Sequence, residues 1–138
     1  MKIYFAFTVR GDRSKLSQGK EIVRLLQNRG HEVLTTHVFE ENAAELDSRL
    51  KPEEVFSRDM RWLNEADAIL IEASGASFGV GFEAGFALGA MNKKVFLVYD
   101  SRLKDKISRM ATGLMHRNCI KFEYSSLDEL KNFIEEHF

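Results

Sequence analysis

Apolar residues along this chain fall into two alternating patterns. Short continuous runs such as "KIYFAFTV", "DAILIEA" and "KKVFLVYD" predict strands, the latter two apolar enough to be covered on both faces. Between them the apolar positions recur every three or four residues. From Lys15 to Arg29, Leu16, Ile22, Val23, Leu25 and Leu26 mark a helix that should stop at Gly30. "HEVLTTHV" predicts a second strand, and "FEENAAELDSRL" an irregular or briefly helical stretch. Pro52, the only proline, opens a helix reaching about Ala66. "SFGVGFEAGFALGAMNKK" supplies a loop and then a helix, and "RLKDKISRMATG" a loop and short helix. "CIKFEY" predicts a fifth strand, and a closing helix in "SSLDELKNFIEEHF" has Ser125 or Ser126 as N-cap.

Five strands alternating with helices predict an α/β fold, a three-layer sandwich around a parallel sheet with right-handed crossovers. With so few strands the expected order is flavodoxin-like, 2-1-3-4-5, in one domain covering residues 1–138. Ligands of such folds bind at the carboxyl ends of the strands, near the point where strand order reverses. Three loops should meet there: Thr8 to Arg13, Ala73 to Gly79, and the segment after Tyr99.

Composition narrows the possibilities. A 44% hydrophobic fraction supports a core, and a net charge of −1 without a long basic run disfavours a dedicated nucleic-acid or membrane-surface binder. The single cysteine, Cys119, excludes an intrachain disulfide and reads as a buried, inert thiol. The sequence runs from "MK" directly into a strand, so a cytoplasmic protein is expected.

Two carboxylates stand out. From Ala73 to Asn92 the only ionisable side chain is Glu83, expected in the opening turn of its helix beside Ser77, Gly79 and Gly81. An acid there suits the helix dipole, but glycines that admit a ligand close to the backbone also make it a desolvated, reactive group. Asp59 is the other. At about 100° per residue it falls between Val55 and Leu63, on an apolar stripe that includes Phe56 and Met60. It is either a tether, for example to Arg10, or a functional acid; Arg58 and Arg61 are expected to face solvent. Two acids on one pocket suit attack on an anomeric carbon with help for the leaving group. Thr8, Arg10 and the flexible Gly11, just past the first strand, suit a phosphate or sugar hydroxyls. Gly79, Gly81 and Gly85 mimic a dinucleotide fingerprint, but it follows the wrong strand and carries an acid where pyrophosphate would lie.

"YFAFTVRGDR", "RDMRWLNEADAILIEA" and "SFGVGFEAG" together resemble the nucleoside 2-deoxyribosyltransferase-like family, and within it the 2'-deoxynucleoside 5'-monophosphate N-glycosidases. The resemblance implies hydrolysis of the bond between base and deoxyribose 5-phosphate, with no metal or organic cofactor. It implies Glu83 as nucleophile, Asp59 as second carboxylate, and Tyr4 as the residue positioning Glu83. Thr8, Arg10 and Ser77 would hold phosphate or sugar. Ser108 matches a serine contributed by a partner subunit, which implies a homodimer with shared pockets. His37, at the end of the second strand, would line the base pocket. Phe7 stands where the hydrolases often have glycine. The asparagine that transferases use for a free 5'-hydroxyl has no counterpart, since Asn132 lies in an amphipathic helix. Two alternatives stand beside it: base exchange between deoxynucleosides with the same nucleophile, and a non-catalytic nucleotide-binding module on the same fold.

Overall fold

In a computed structural model that describes residues 1–75 and 77–138, the strands are β1 (Lys2–Ala6), β2 (Glu32–Val33), β3 (Ala68–Glu72), β4 (Val95–Asp100) and β5 (Cys119–Tyr124). The helices are α1 (Leu16–Asn28), α2 (Ala43–Ser48), α3 (Pro52–Glu65), α4 (Phe78–Gly89), α5 (Arg109–Thr112) and α6 (Leu127–His137). Single 3-10 segments cover Thr36–Phe39 and Ser101–Lys106. The sheet is parallel throughout in the order β2-β1-β3-β4-β5, as the alternation predicts.

The sheet's two faces carry separate cores because side chains alternate along each strand. Ile3, Phe5, Leu70, Phe96 and Val98 face α1 and α6, meeting Ile22, Leu26, Phe133 and Ile134. Tyr4, Ile69, Ile71 and Leu97 face the other way, against Leu63 of α3 and Ala84, Ala87 and Leu88 of α4. Every residue of β3 and β4 is buried. The edge strand β5 instead exposes Lys121 and Glu123, charges that discourage further strand pairing.

Three helix ends follow the sequence signals. Gly30 adopts φ +84° after α1, the left-handed conformation that glycine takes without penalty. Pro52 opens α3, and Ser126 caps α6 by accepting from the Glu129 amide.

The second strand is shorter than expected. Its pairing continues to Leu34, whose amide donates to the Ile3 carbonyl, and then the Thr35 side chain takes over. Thr35 Oγ1 accepts from the Phe5 amide at 3.0 Å and donates to the Phe5 carbonyl at 2.8 Å. With the β1 edge satisfied by a hydroxyl, the backbone is released into a 3-10 turn. His37 therefore sits in that turn and not on a strand.

The three loops predicted to meet at the carboxyl edge do so. A Cβ on Gly75 would lie 2.5 Å from the Asp12 carbonyl oxygen and 2.7 Å from Thr8 Cγ2, so only glycine lets the loop after β3 press against the loop after β1. The Asp100 amide donates to Ser74 Oγ at 2.8 Å, and the fully buried Asp100 carboxylate pairs with Lys15 at the start of α1. Behind them Glu72 is buried, accepting from the Ser74 amide and the Tyr124 hydroxyl, and burial raises its carboxyl above the usual range.

Candidate active site

Glu83 lies a turn and a half into α4, which begins at Phe78, and not in the opening turn. The helix starts earlier than the glycines suggest because Ser77 Oγ accepts from the Val80 amide at 3.3 Å and caps it there. Gly79 and Gly81 are thus helical residues with open space around them, and the glycine that permits close approach is Gly75.

Facing β1, Glu83 Oε1 accepts from the Tyr4 hydroxyl at 2.8 Å. Burial of this carboxyl raises its pKa to about 7; the Tyr4 hydrogen bond opposes the rise, the Asp59 charge adds to it, and the Arg58 charge opposes it. Tyr4 is almost wholly buried and its own proton is held far more tightly than usual, first through burial and then through the nearby charges of Glu83 and Asp59. Tyr4 is therefore a hydrogen-bond donor near neutral pH. The Asp59 charge is close enough to act on both residues, disfavouring the anionic form of each.

The α3 face differs from expectation in two residues. Arg58, expected in solvent, is largely buried: its Nε–H donates to Asp59 Oδ1 at 2.8 Å and its Nη1–H to Asp47 Oδ1 at 3.1 Å. Its guanidinium lies 5.2 Å from the centre of the Trp62 ring. Phe56, expected in the stripe, is 54% exposed beside Phe82 of α4, the two rings 6.4 Å apart. Arg58 and Trp62 are the residues the sequence reading missed. The available signal was Trp62 itself, the only tryptophan, one turn beyond Asp59.

His37 reaches this cluster, its ring centre 5.2 Å from that of Trp62. Both ring nitrogens are buried and meet no hydrogen-bond partner among the described residues. Burial, and then the Arg58 charge, lower its pKa and favour the neutral ring.

The remaining expected residues are distributed around this cleft. Thr8 is buried, its Oγ1 accepting from the Gly11 amide at 2.8 Å, so both close the turn after β1. Arg10 is exposed, and its guanidinium binds Ser48 Oγ at 2.8 Å and the Ala44 carbonyl of α2. It does not tether Asp59; Arg58 does. Ser108 is exposed and caps α5, accepting from the Met110 amide. It lines a cavity of about 820 Å³ together with Ser77, Gly81, Phe82, Gly85, Lys106 and Met110. Among the described residues the cavity's lining does not include Tyr4, Asp59 or Glu83, so Ser108 is not brought to them within the chain.

Cys119 is partly buried at the start of β5, and burial raises its thiol pKa. Among the described residues no group of three or more His, Cys, Asp or Glu side chains is gathered to hold a metal ion, and no helix is long and apolar enough to cross a membrane.

Residues 3–119 match the family described as nucleoside 2-deoxyribosyltransferase. A Thermofilum pendens protein with the provisional name 2'-deoxynucleoside 5'-phosphate N-hydrolase 1 is 39% identical over 129 residues, 94% of this chain and 89% of its own. The 5-hydroxymethyl-dUMP N-hydrolase of Danio rerio is 32% identical over 139 residues, covering all of this chain and 96% of its own. Among solved structures, a Clostridium botulinum CMP N-glycosidase shares the fold over the whole of both chains, with a TM-score of 0.75 at 18% identity.

Proposed function

Because the chain belongs to the nucleoside 2-deoxyribosyltransferase family, we propose that it hydrolyses the N-glycosidic bond of 2'-deoxynucleoside 5'-monophosphates, releasing the free base and deoxyribose 5-phosphate. The observation that carries the reading is the Tyr4–Glu83 hydrogen bond, with the Asp59 charge near enough to act on Glu83. A carboxylate with a pKa of about 7 is a usable nucleophile at neutral pH, and Tyr4 aims one of its oxygens.

In the first step a Glu83 oxygen bonds to C1' of the sugar while the C1'–N bond breaks, its electron pair leaving with the base. The departing base takes up a proton, and Asp59, the second acid near Glu83, is the group we assign to relay it. In the second step water attacks C1' of the ester. Hydroxide is added to the sugar, the remaining proton is released, and the Glu83 carboxylate is regenerated. Thr8, Gly11, Ser77 and Gly79 border the carboxyl edge and the start of α4, where backbone amides and the helix dipole favour a phosphate. Arg10 serves this region by holding α2 in place. His37 and Trp62 form the base side of the cleft.

Ser108 lines a cavity whose lining does not include Glu83, which supports a part for it in the site of a second copy. Along that cavity α4 exposes Phe78 (90%) and Phe82 (43%) beside a row of glycines, Gly81, Gly85 and Gly89, that lets another backbone approach. That arrangement supports a homodimer across α4 in which each copy lends Ser108 to the other's site.

The test is release of base from a panel of 2'-deoxynucleoside 5'-monophosphates and the matching nucleosides, followed by chromatography. Hydrolysis of monophosphates that disappears in Glu83→Gln is expected; full activity in that variant would end the proposal. The family's transferase description favours one second reading, in which a free base intercepts the Glu83 ester. Adding a second base to the assay separates the two, since only exchange yields the swapped nucleoside.

A further inference from the structure

Arg58 has no place in the chemistry above, yet it is the cation most constrained around the cleft. Three side chains converge on it. Asp47 of α2 and Asp59 of α3 take two of its N–H groups, at 3.1 Å and 2.8 Å, and Trp62 lies against its planar face at 5.2 Å. The Arg58 side chain keeps 17% of its surface exposed, Asp47 15% and Asp59 22%, so solvent screens the cluster weakly. An arginine pinned by two carboxylates and a ring has little freedom left. Its charge acts from a fixed position, as a flexible lysine's would not.

We propose that Arg58 is a positioning residue of the cleft: it fixes the direction of the Asp59 carboxylate and supplies the positive charge that favours the anionic form of Glu83. The inference rests on the hydrolase reading above.

The charged and titratable groups around Glu83 define what Arg58 offsets. Tyr4 of β1 donates one hydrogen bond, and Asp59 of α3 contributes a like charge that disfavours a second anion. Asp47 stands behind Arg58 on α2, and His37, whose ring is driven toward neutrality by burial and by Arg58 itself, adds no compensating cation. Without Arg58 two carboxylates would share a largely dry cleft opposed by one tyrosine hydroxyl, and one of them would tend to keep its proton. Arg58 offsets part of the Asp59 charge felt by Glu83. Its bond to Oδ1 also leaves Asp59 Oδ2 as the oxygen without a hydrogen bond among the described residues.

The experiment compares pH profiles of kcat/KM for monophosphate hydrolysis in wild type, Arg58→Gln, Arg58→Lys and Glu83→Gln. Abolition of hydrolysis in Glu83→Gln establishes that the assay reads the proposed chemistry; failure there removes the hydrolase reading itself and is visible separately. Arg58→Gln loses both fork and charge, so on top of a fall in kcat at every pH its acidic limb should shift upward by about half to one pH unit, a further loss of about three- to tenfold below the limb. Arg58→Lys keeps the charge and loses the fork, so its limb should stay with wild type while kcat falls at every pH. The inference is overturned if Arg58→Gln loses activity uniformly across pH, or if Arg58→Lys shifts the limb as far as Arg58→Gln does. Should Arg58→Gln fail to fold, the Arg58→Lys profile still decides, since a displaced limb with the charge retained contradicts the proposal.

Discussion

The Tyr4 hydroxyl donates to Glu83 Oε1 at 2.8 Å, joining the first strand to the fourth helix across 79 positions of sequence. The bond places a proton donor against a carboxyl that burial drives toward neutrality, and it opposes that drive. Tyr4→Phe keeps the buried ring and removes only the donor. It should raise the Glu83 pKa further and lower kcat/KM by about tenfold or more, the loss being larger at pH 6 than at pH 8.5. Thermal unfolding measured alongside should change little.

Glu83 also leaves a signature in stability. Its folded-state value, about 7, lies above the ordinary 4.5. The neutral side chain tolerates burial, so the contribution is fully present below about pH 4.5 and is lost as pH rises through 7. Glu83→Gln removes that titration. The variant should match wild type in urea unfolding near pH 5 and exceed it at pH 8 by up to about 3 kcal/mol. Equal stability of the two proteins at pH 8 would contradict the assignment.

Gly75→Ala should be harmful although the residue touches no catalytic group. The added methyl meets a backbone oxygen at 2.5 Å and Thr8 at 2.7 Å, neither of them a flexible side-chain end. Two loops must separate to admit it, costing about 1–3 kcal/mol. A fall in Tm together with a raised KM for monophosphates is expected.

The shared-site arrangement is open to a mixing experiment. Glu83→Gln and Ser108→Asp should each be nearly inactive as purified proteins, the second because a carboxylate repels the substrate phosphate. After subunit exchange, mixed dimers hold one cleft with both native residues, so about a quarter of wild-type activity should return at equal mixing. No recovery, with exchange confirmed by mass, would place Ser108 outside the partner's site.

The sheet and its order were legible because each strand is a continuous apolar run and each helix announces an end, as at Gly30, Pro52 and Ser126. Asp59 and Glu83 could be picked out because a carboxylate among apolar neighbours breaks the pattern. Arg58 could not. Periodicity reports which way a side chain leaves its helix, and a long arginine can turn back along the surface to a neighbouring acid. Its partner Asp47 sits on a helix whose polar sequence carried no such pattern. The early end of β2 was equally hidden, since "VLTTHV" is good strand sequence until the Thr35 hydroxyl takes the bonds that backbone would make.

That substitution of a hydroxyl for a length of strand separates two duties within the chain. Once Thr35 has closed the sheet edge, residues 36–51 carry no ladder bonds, and they are pinned to the cleft by side chains, Arg10 to Ser48 and Arg58 to Asp47. Residues 36–51 can therefore vary at their exposed positions without disturbing the register of the five strands, while Val38, Phe39 and Ala43 stay held in the core.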